Sequence, residues 1–125
     1  MNRDFINVIC AELPGAELSD PWSESDGASR EDGQRHDAWK VGDKMFASIG
    51  VKTQGVSVKT QSIETAQMLI NVGVGKKAPY FHRSWVLLPF ETDEEELRYR
   101  LTQSYEIIRS KLTKKLQASL PEYPS

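Results

Sequence analysis

Between residues 38 and 90 the sequence carries seven basic side chains, Lys40, Lys44, Lys52, Lys59, Lys76, Lys77 and Arg83, against two acidic ones, Asp43 and Glu64. Lys40 and Lys44 flank a Gly42-Asp43 turn, Lys52 approaches the next turn, and Lys59 falls on the polar side of an alternating run. Cations placed on turns and on one face of a sheet can share a positive surface. Such a surface suits phosphate, because the backbone charge of nucleic acid is independent of sequence. Lysines also keep ordinary surfaces solvated, and at this level both readings stand.

A second set of side chains could do different chemistry. Trp22, Trp39, Tyr80, Trp85 and Tyr105, with Phe81, could line a groove or offer stacking faces beside the cations. Trp85 and Tyr105 fall within periodic apolar elements, which favours a core role for them. Tyr80 and Phe81 lie between KKAP and HR, where stacking and loop covering are equally consistent with the residues.

Catalytic and cofactor patterns are absent. There is no G-x-S-x-G, H-E-x-x-H, C-x-x-C, phosphate loop or G-x-G-x-x-G, and GVGK at 73–76 lacks the remaining spacing of a nucleotide loop. His36 and His82 lie far apart without metal-ligand spacing, and the lone Cys10 has no partner for a disulfide or a metal pair. The expectation is a protein that binds rather than an enzyme, with no cofactor and no metal.

The chain that must position these groups has 125 residues, 38% of them hydrophobic and 27% charged, which suits one domain with one core. The net charge of -2 conceals a segmental pattern: residues 1–37 hold 3 basic and 9 acidic side chains, and residues 91–125 hold 6 and 7. No run approaches the roughly 18 apolar residues of a membrane span, and the first residues lack a signal-peptide pattern, so a cytoplasmic location is expected.

Helical spacing of Phe5, Ile6, Ile9 and Leu13 predicts an opening helix over 3–13, ended by Pro14-Gly15. Residues 23–37, polar and glycine-containing, read as a mobile loop. From Ala38 the period becomes two, giving strands at 38–41, at 45–49 and around Val56 and Val58. Residues 62–72 return to helical spacing with Ser62 as N-cap and Ile63, Ala66, Leu69 and Ile70 inward. SWVLLPF (84–90) reads as a strand, and Thr92 with Glu95 as a capping box. A helix follows with Leu97, Leu101, Tyr105, Ile108 and Leu112 in one stripe, and the tail 121–125 should fray. The fold class is α+β, an antiparallel sheet with helices packed on one face.

The order of LPG (13–15), PW (21–22), KVGDKMFA (40–47), KKAPYFHRSWV (76–86) and SYEIIRSKL (104–112) closely resembles the MmcQ/YjbR family of small bacterial proteins. The likeness runs from residue 5 to about residue 115. It implies a fold like bacterial frataxin and a double-wing mode of DNA binding in which loops of the sheet act as wings. Frataxin-like iron handling is not expected, since the first helix offers only Asp4 and Glu12. The acidic 23–37 segment is longer than the family's usual link, and its charge would oppose DNA. The expected function is weak, largely sequence-independent duplex binding through Lys40, Lys44, Lys52, Lys59, Lys76, Lys77 and Arg83. The alternative is a protein-interaction or small-ligand module built on the aromatic groove.

Overall fold

The computed structural model describes residues 3–19, 37–50, 54–79 and 81–121. The strands are β1 (Ala16–Ser19), β2 (Asp37–Val41), β3 (Lys44–Ile49), β4 (Gly55–Lys59), β5 (Lys76–Lys77) and β6 (Trp85–Pro89). The helices are α1 (Arg3–Ala11), α2 (Ile63–Asn71), α3 (Glu94–Ser110) and α4 (Lys114–Ser119). The strands form one antiparallel sheet in the order β1-β2-β3-β4-β6-β5. Among the described residues no helix is long and apolar enough to cross a membrane. The expected α+β class, with helices on one face of an antiparallel sheet, is what the chain adopts.

Alternation explains how the sheet makes a core. Val56 and Val58 of β4 stand opposite Leu88 and Val86 of β6, and all four are fully buried. They join one cluster with Ile6 and Ile9 of α1, Ala66 and Leu69 of α2, and Leu97, Leu101, Tyr105 and Ile108 of α3. A single cluster fed by three helices requires those helices to share one face of the sheet. Cys10 is wholly buried in it, and burial raises its thiol far above the ordinary range, so it stays protonated.

The β2–β3 hairpin departs from simple alternation. Trp39 pairs with Ala47 and Lys40 with Met45, so Phe46 is an extra residue, a β-bulge. The bulge lets Phe46, Ala47 and Ile49 all be buried, where strict alternation would separate Phe46 from the other two. At the next position toward the turn the β3–β4 ladder is interrupted by α3. The Ser104 hydroxyl accepts from the Lys59 amide at 2.9 Å and donates to the Phe46 carbonyl at 2.5 Å, bridging two strands that no longer touch directly.

Turn chemistry fixes the hairpin tip. Gly42 and Asp43 both have left-handed backbones, φ 53° and 79°, as a two-residue hairpin turn demands. A Cβ on Gly42 would lie 2.6 Å from the Leu112 Cδ1, so the helix end also presses on this position. Gly42→Ala is expected to lower stability by about 1–2 kcal/mol, read by urea unfolding, because Ala is strained at positive φ and Leu112 must shift.

Four local expectations are revised. The N-cap of α3 is Asp93, whose carboxylate accepts from the Glu95 amide at 3.1 Å, and not Thr92. A carboxylate satisfies the free amides as well as a hydroxyl does and also favours the positive end of the dipole. Ile63 is 37% exposed because it lies at the first position of α2, beyond the edge of the core. Lys76–Lys77 forms a short strand that propensity does not signal, drawn in by pairing with β6. Asp37, at the end of the expected 23–37 loop, opens β2 as a buried residue, and Asn7 Nδ2 donates to its Oδ2 at 3.1 Å. Residues 23–36 and 122–125 lie outside the described residues.

Candidate nucleic-acid interface

Strand direction decides where the cations go. The β2–β3 turn, the C-terminus of β4, the N-terminus of β6 and the connection 78–84 must all lie at one end of the sheet, because each neighbouring pair is antiparallel. The helix α3 leaves β6 at the opposite end and returns, so its C-terminus reaches the same end, with Leu112 beneath Gly42. The acidic residues Asp93, Glu94, Glu95 and Glu96 begin α3 at the far end. The acidic start of α3 and most of the cations therefore lie at opposite ends of the strands, with the exposed Asp43 in the β2–β3 turn and Glu64 in the first turn of α2 as acids at the cationic end.

Lys44 is exposed at the start of β3. Lys40 is half-buried on the sheet face away from the helices, with Glu17 of β1 directly across from it, so its field is partly offset. Lys59 ends β4, in the middle of the sheet, and Arg83 is exposed in the 78–84 connection. Lys76 and Lys77 are adjacent in sequence, yet alternation sends them to opposite faces, Lys76 with Leu87 and Lys77 with Val86. They cannot work as a pair on one phosphate. Lys52 lies outside the described residues.

Lys59 is the most constrained of these cations. Its Nζ donates to the Ser84 hydroxyl, which also meets His82 Nδ1 at 2.8 Å. The same turn is tied to β4 by Thr60, whose amide and hydroxyl both donate to the Ser84 carbonyl, at 2.8 and 2.6 Å. The short HRSW run thus folds back on the strand end through Ser84, which holds Arg83 at the same end of the sheet as Lys59. Desolvation, then the neighbouring ammonium of Lys111, lower the Lys59 pKa below the ordinary lysine value of 10.5. Two ammonium groups held together in this way favour an anion between them.

The sign of that shift gives a prediction. Folding disfavours the charged form of Lys59, so stability should rise as pH climbs from its lowered value toward 10.5, where the unfolded chain still holds the proton. Lys111→Gln removes one cause and should reduce that rise. Thermal midpoints of the two proteins, compared as a difference across alkaline pH, test this.

Three further lysines belong to the same end. Lys111 caps α3, and Lys114 and Lys115 open α4, all exposed. A cation at the end of α3 suits the helix dipole, but lysines in the first turn of α4 oppose it, so helix stability does not account for Lys114 and Lys115. Their signal in the sequence is the polarity of one segment, DEEE at its start and RSKLTKK at its end. Three other described arginines are engaged elsewhere. Arg98 bonds Glu94 at 3.2 Å, Arg100 bonds Glu96 at 2.7 Å, and Arg109 donates to the Tyr105 hydroxyl at 2.7 Å and the Pro121 carbonyl at 2.7 Å.

Among the described residues the aromatic side chains do not line one groove. Trp39 is 6% exposed, and its indole donates to Asn7 Oδ1 at 2.8 Å, which ties β2 to α1. Tyr105 is fully buried, stands edge-on to Phe46 with ring centroids 5.5 Å apart, and donates its hydroxyl to the Pro14 carbonyl. Both belong to the core because their polar atoms find partners there. Of the described set Trp85 and Phe81 reach the surface, both half-buried and stacked with ring centroids 4.5 Å apart. Trp22 and Tyr80 lie outside the described residues.

The model of the family described as YjbR matches residues 11–107. A crystal structure of Deinococcus radiodurans protein DR2400, with a domain described as DUF419, is similar in fold, with a TM-score of 0.73 at 19% identity. The match covers 94% of this chain and 86% of that one. A search of curated proteins finds no match.

Proposed function

The chain belongs to the YjbR family, and from that premise we propose that it binds duplex DNA, weakly and with little sequence discrimination, and acts as a binder rather than an enzyme. The observation that carries this reading is the convergence of Lys44, Lys59, Arg83, Lys111, Lys114 and Lys115 at one end of the sheet, with the acidic start of α3 at the other.

The spacing of that end suits a groove. Counting along the sheet, the β2–β3 turn and the β5–β6 connection are three strand intervals apart, about 14 Å at the usual strand separation. The major groove of B-DNA is about 12 Å wide. Two cationic loops at such a distance would reach the phosphates on either side, with Lys59 and Lys111 between them. These contacts position the protein and carry no sequence information, so discrimination should be low.

Fluorescence anisotropy of a labelled random duplex tests the reading. With about five phosphate contacts, log affinity should fall with log salt at a slope of about -4 to -5. A flat salt dependence, or no binding by folded protein at low salt, would remove DNA as the partner.

A further inference from the structure

At the corner where α2 meets β5 and the 78–84 connection lies a cleft of about 340 Å³. Its wall includes the stacked rings of Phe81 and Trp85, 4.5 Å apart and inclined by 21°. Lys77 and Arg83 line it and are exposed, Ile70 adds an apolar side, and Gln67 brings an amide. No carboxylate stands among its described lining. Among the described lining the other titratable group is His82, whose Nδ1 is engaged by Ser84.

We propose that this cleft binds a nucleoside monophosphate unit, its base against the Phe81–Trp85 pair and its phosphate between Lys77 and Arg83. The reasoning is by complementarity. A flat π surface in the wall of a small cleft takes a flat ligand, and every nucleobase has such a face. Two cations unopposed by acid take an anion, and Arg matches phosphate with two parallel donors. The cleft is of the size that encloses a small ligand and too small for a duplex. Lys77 points away from Lys76 toward α2, which puts it in this cleft and off the outer sheet face.

This inference goes beyond duplex binding and does not require it, since a paired base cannot present its face to Phe81. The same chemistry could come as a free nucleotide or as an unpaired base of a single strand. The contrast with a duplex site is that stacking, and not charge alone, must contribute.

The test is a ¹H–¹⁵N titration of the folded protein with adenosine monophosphate, read at the indole resonance of Trp85. The expected result is a saturating shift of Trp85 with no shift of the core indole of Trp39. Adenosine and inorganic phosphate should each bind at least about tenfold more weakly, since each supplies one part of the contact. Phe81→Leu should weaken the nucleotide at least about tenfold while leaving duplex affinity within about twofold. Arg83→Gln, at an exposed position that cannot unfold the protein, should weaken the nucleotide about fivefold or more and leave adenosine unchanged. Lys111→Glu should do the reverse of Phe81→Leu, weakening duplex and sparing nucleotide. A short oligo-adenylate binding more than tenfold tighter than the mononucleotide would identify a strand as the source of the base, and equal affinity a free nucleotide. Absence of a Trp85 shift at several millimolar nucleotide, an equal response to inorganic phosphate, or indifference to Arg83→Gln would overturn the proposal.

Discussion

Reversing three charges at the cationic end, in a Lys44→Glu, Lys111→Glu, Lys114→Glu protein, is expected to weaken duplex binding at low salt by about 100-fold or more and to reduce the salt slope by about three. Each lysine that contacts a phosphate displaces about one condensed counterion, so each loss removes about one unit from the slope. Loss of three contacts at about 1 kcal/mol each amounts to about a factor of 100, since 1.4 kcal/mol is tenfold. Repulsion by the new carboxylates adds to it. All three positions are exposed, so the fold should survive. The control is Arg98→Gln together with Arg100→Gln. Those arginines bond Glu94 and Glu96 near the acidic end and should leave affinity nearly unchanged. Anisotropy at several salt concentrations separates the cases. Equal weakening by both sets would mean that net charge, and not this end, governs binding.

The largest effect on stability is expected at a serine. Ser104 is fully buried on α3, and its hydroxyl stands where a Phe46 to Lys59 ladder bond would be. Ser104→Val would leave the Lys59 amide and the Phe46 carbonyl without that partner, each costing about 1–3 kcal/mol, and would press a methyl group between the strands. A loss of about 3–4 kcal/mol follows, or about 10–15 °C in thermal midpoint for a domain of this size. Ser110→Ala on the same helix, where an exposed hydroxyl donates to the Ile107 carbonyl, should change stability by no more than about 0.5 kcal/mol. Because Ser104 holds the strand end that presents Lys59, a milder Ser104→Ala protein should also bind duplex more weakly than its residual stability alone would suggest. Chemical unfolding and anisotropy on one preparation decide this.

How much of this was readable beforehand depends on the distance over which each feature is determined. The stripe Leu97, Leu101, Tyr105, Ile108 and Leu112 is a local period, and all five residues are buried. Val56 and Val58 face the core, and Ser62 caps α2 by accepting from the Thr65 amide, as spacing and residue type require. The Phe46 bulge is different, because its carbonyl is met by the Ser104 hydroxyl, 58 residues away, a partner that no local pattern announces. Strand β5 likewise depends on β6, and two lysines carry no strand signal of their own.

The candidate site was legible in part for the same reason. The excess of cations in residues 38–90 is a property of the chain, but which of them share a surface is a property of strand direction. Lys76 and Lys77 look paired in sequence and are separated by alternation. Lys111, Lys114 and Lys115 look like a helix end and a loop, and only the return of α3 brings Lys111 beside Lys59 and the other two to the same end of the sheet. Trp39 and Tyr105 carry polar atoms that a surface groove could use, yet Asn7 and Pro14 supply internal partners that no local pattern announces.

The most direct test of the central claim is to ask which end of the molecule meets the duplex. A ¹H–¹⁵N titration of the assigned protein with a short random duplex should shift the backbone amides of Lys44, Lys59, Arg83 and Lys111 to Lys115. It should leave Glu94 to Glu96 and the acidic end of the sheet unmoved. Shifts concentrated at the start of α3, or spread evenly over both ends, would contradict the account.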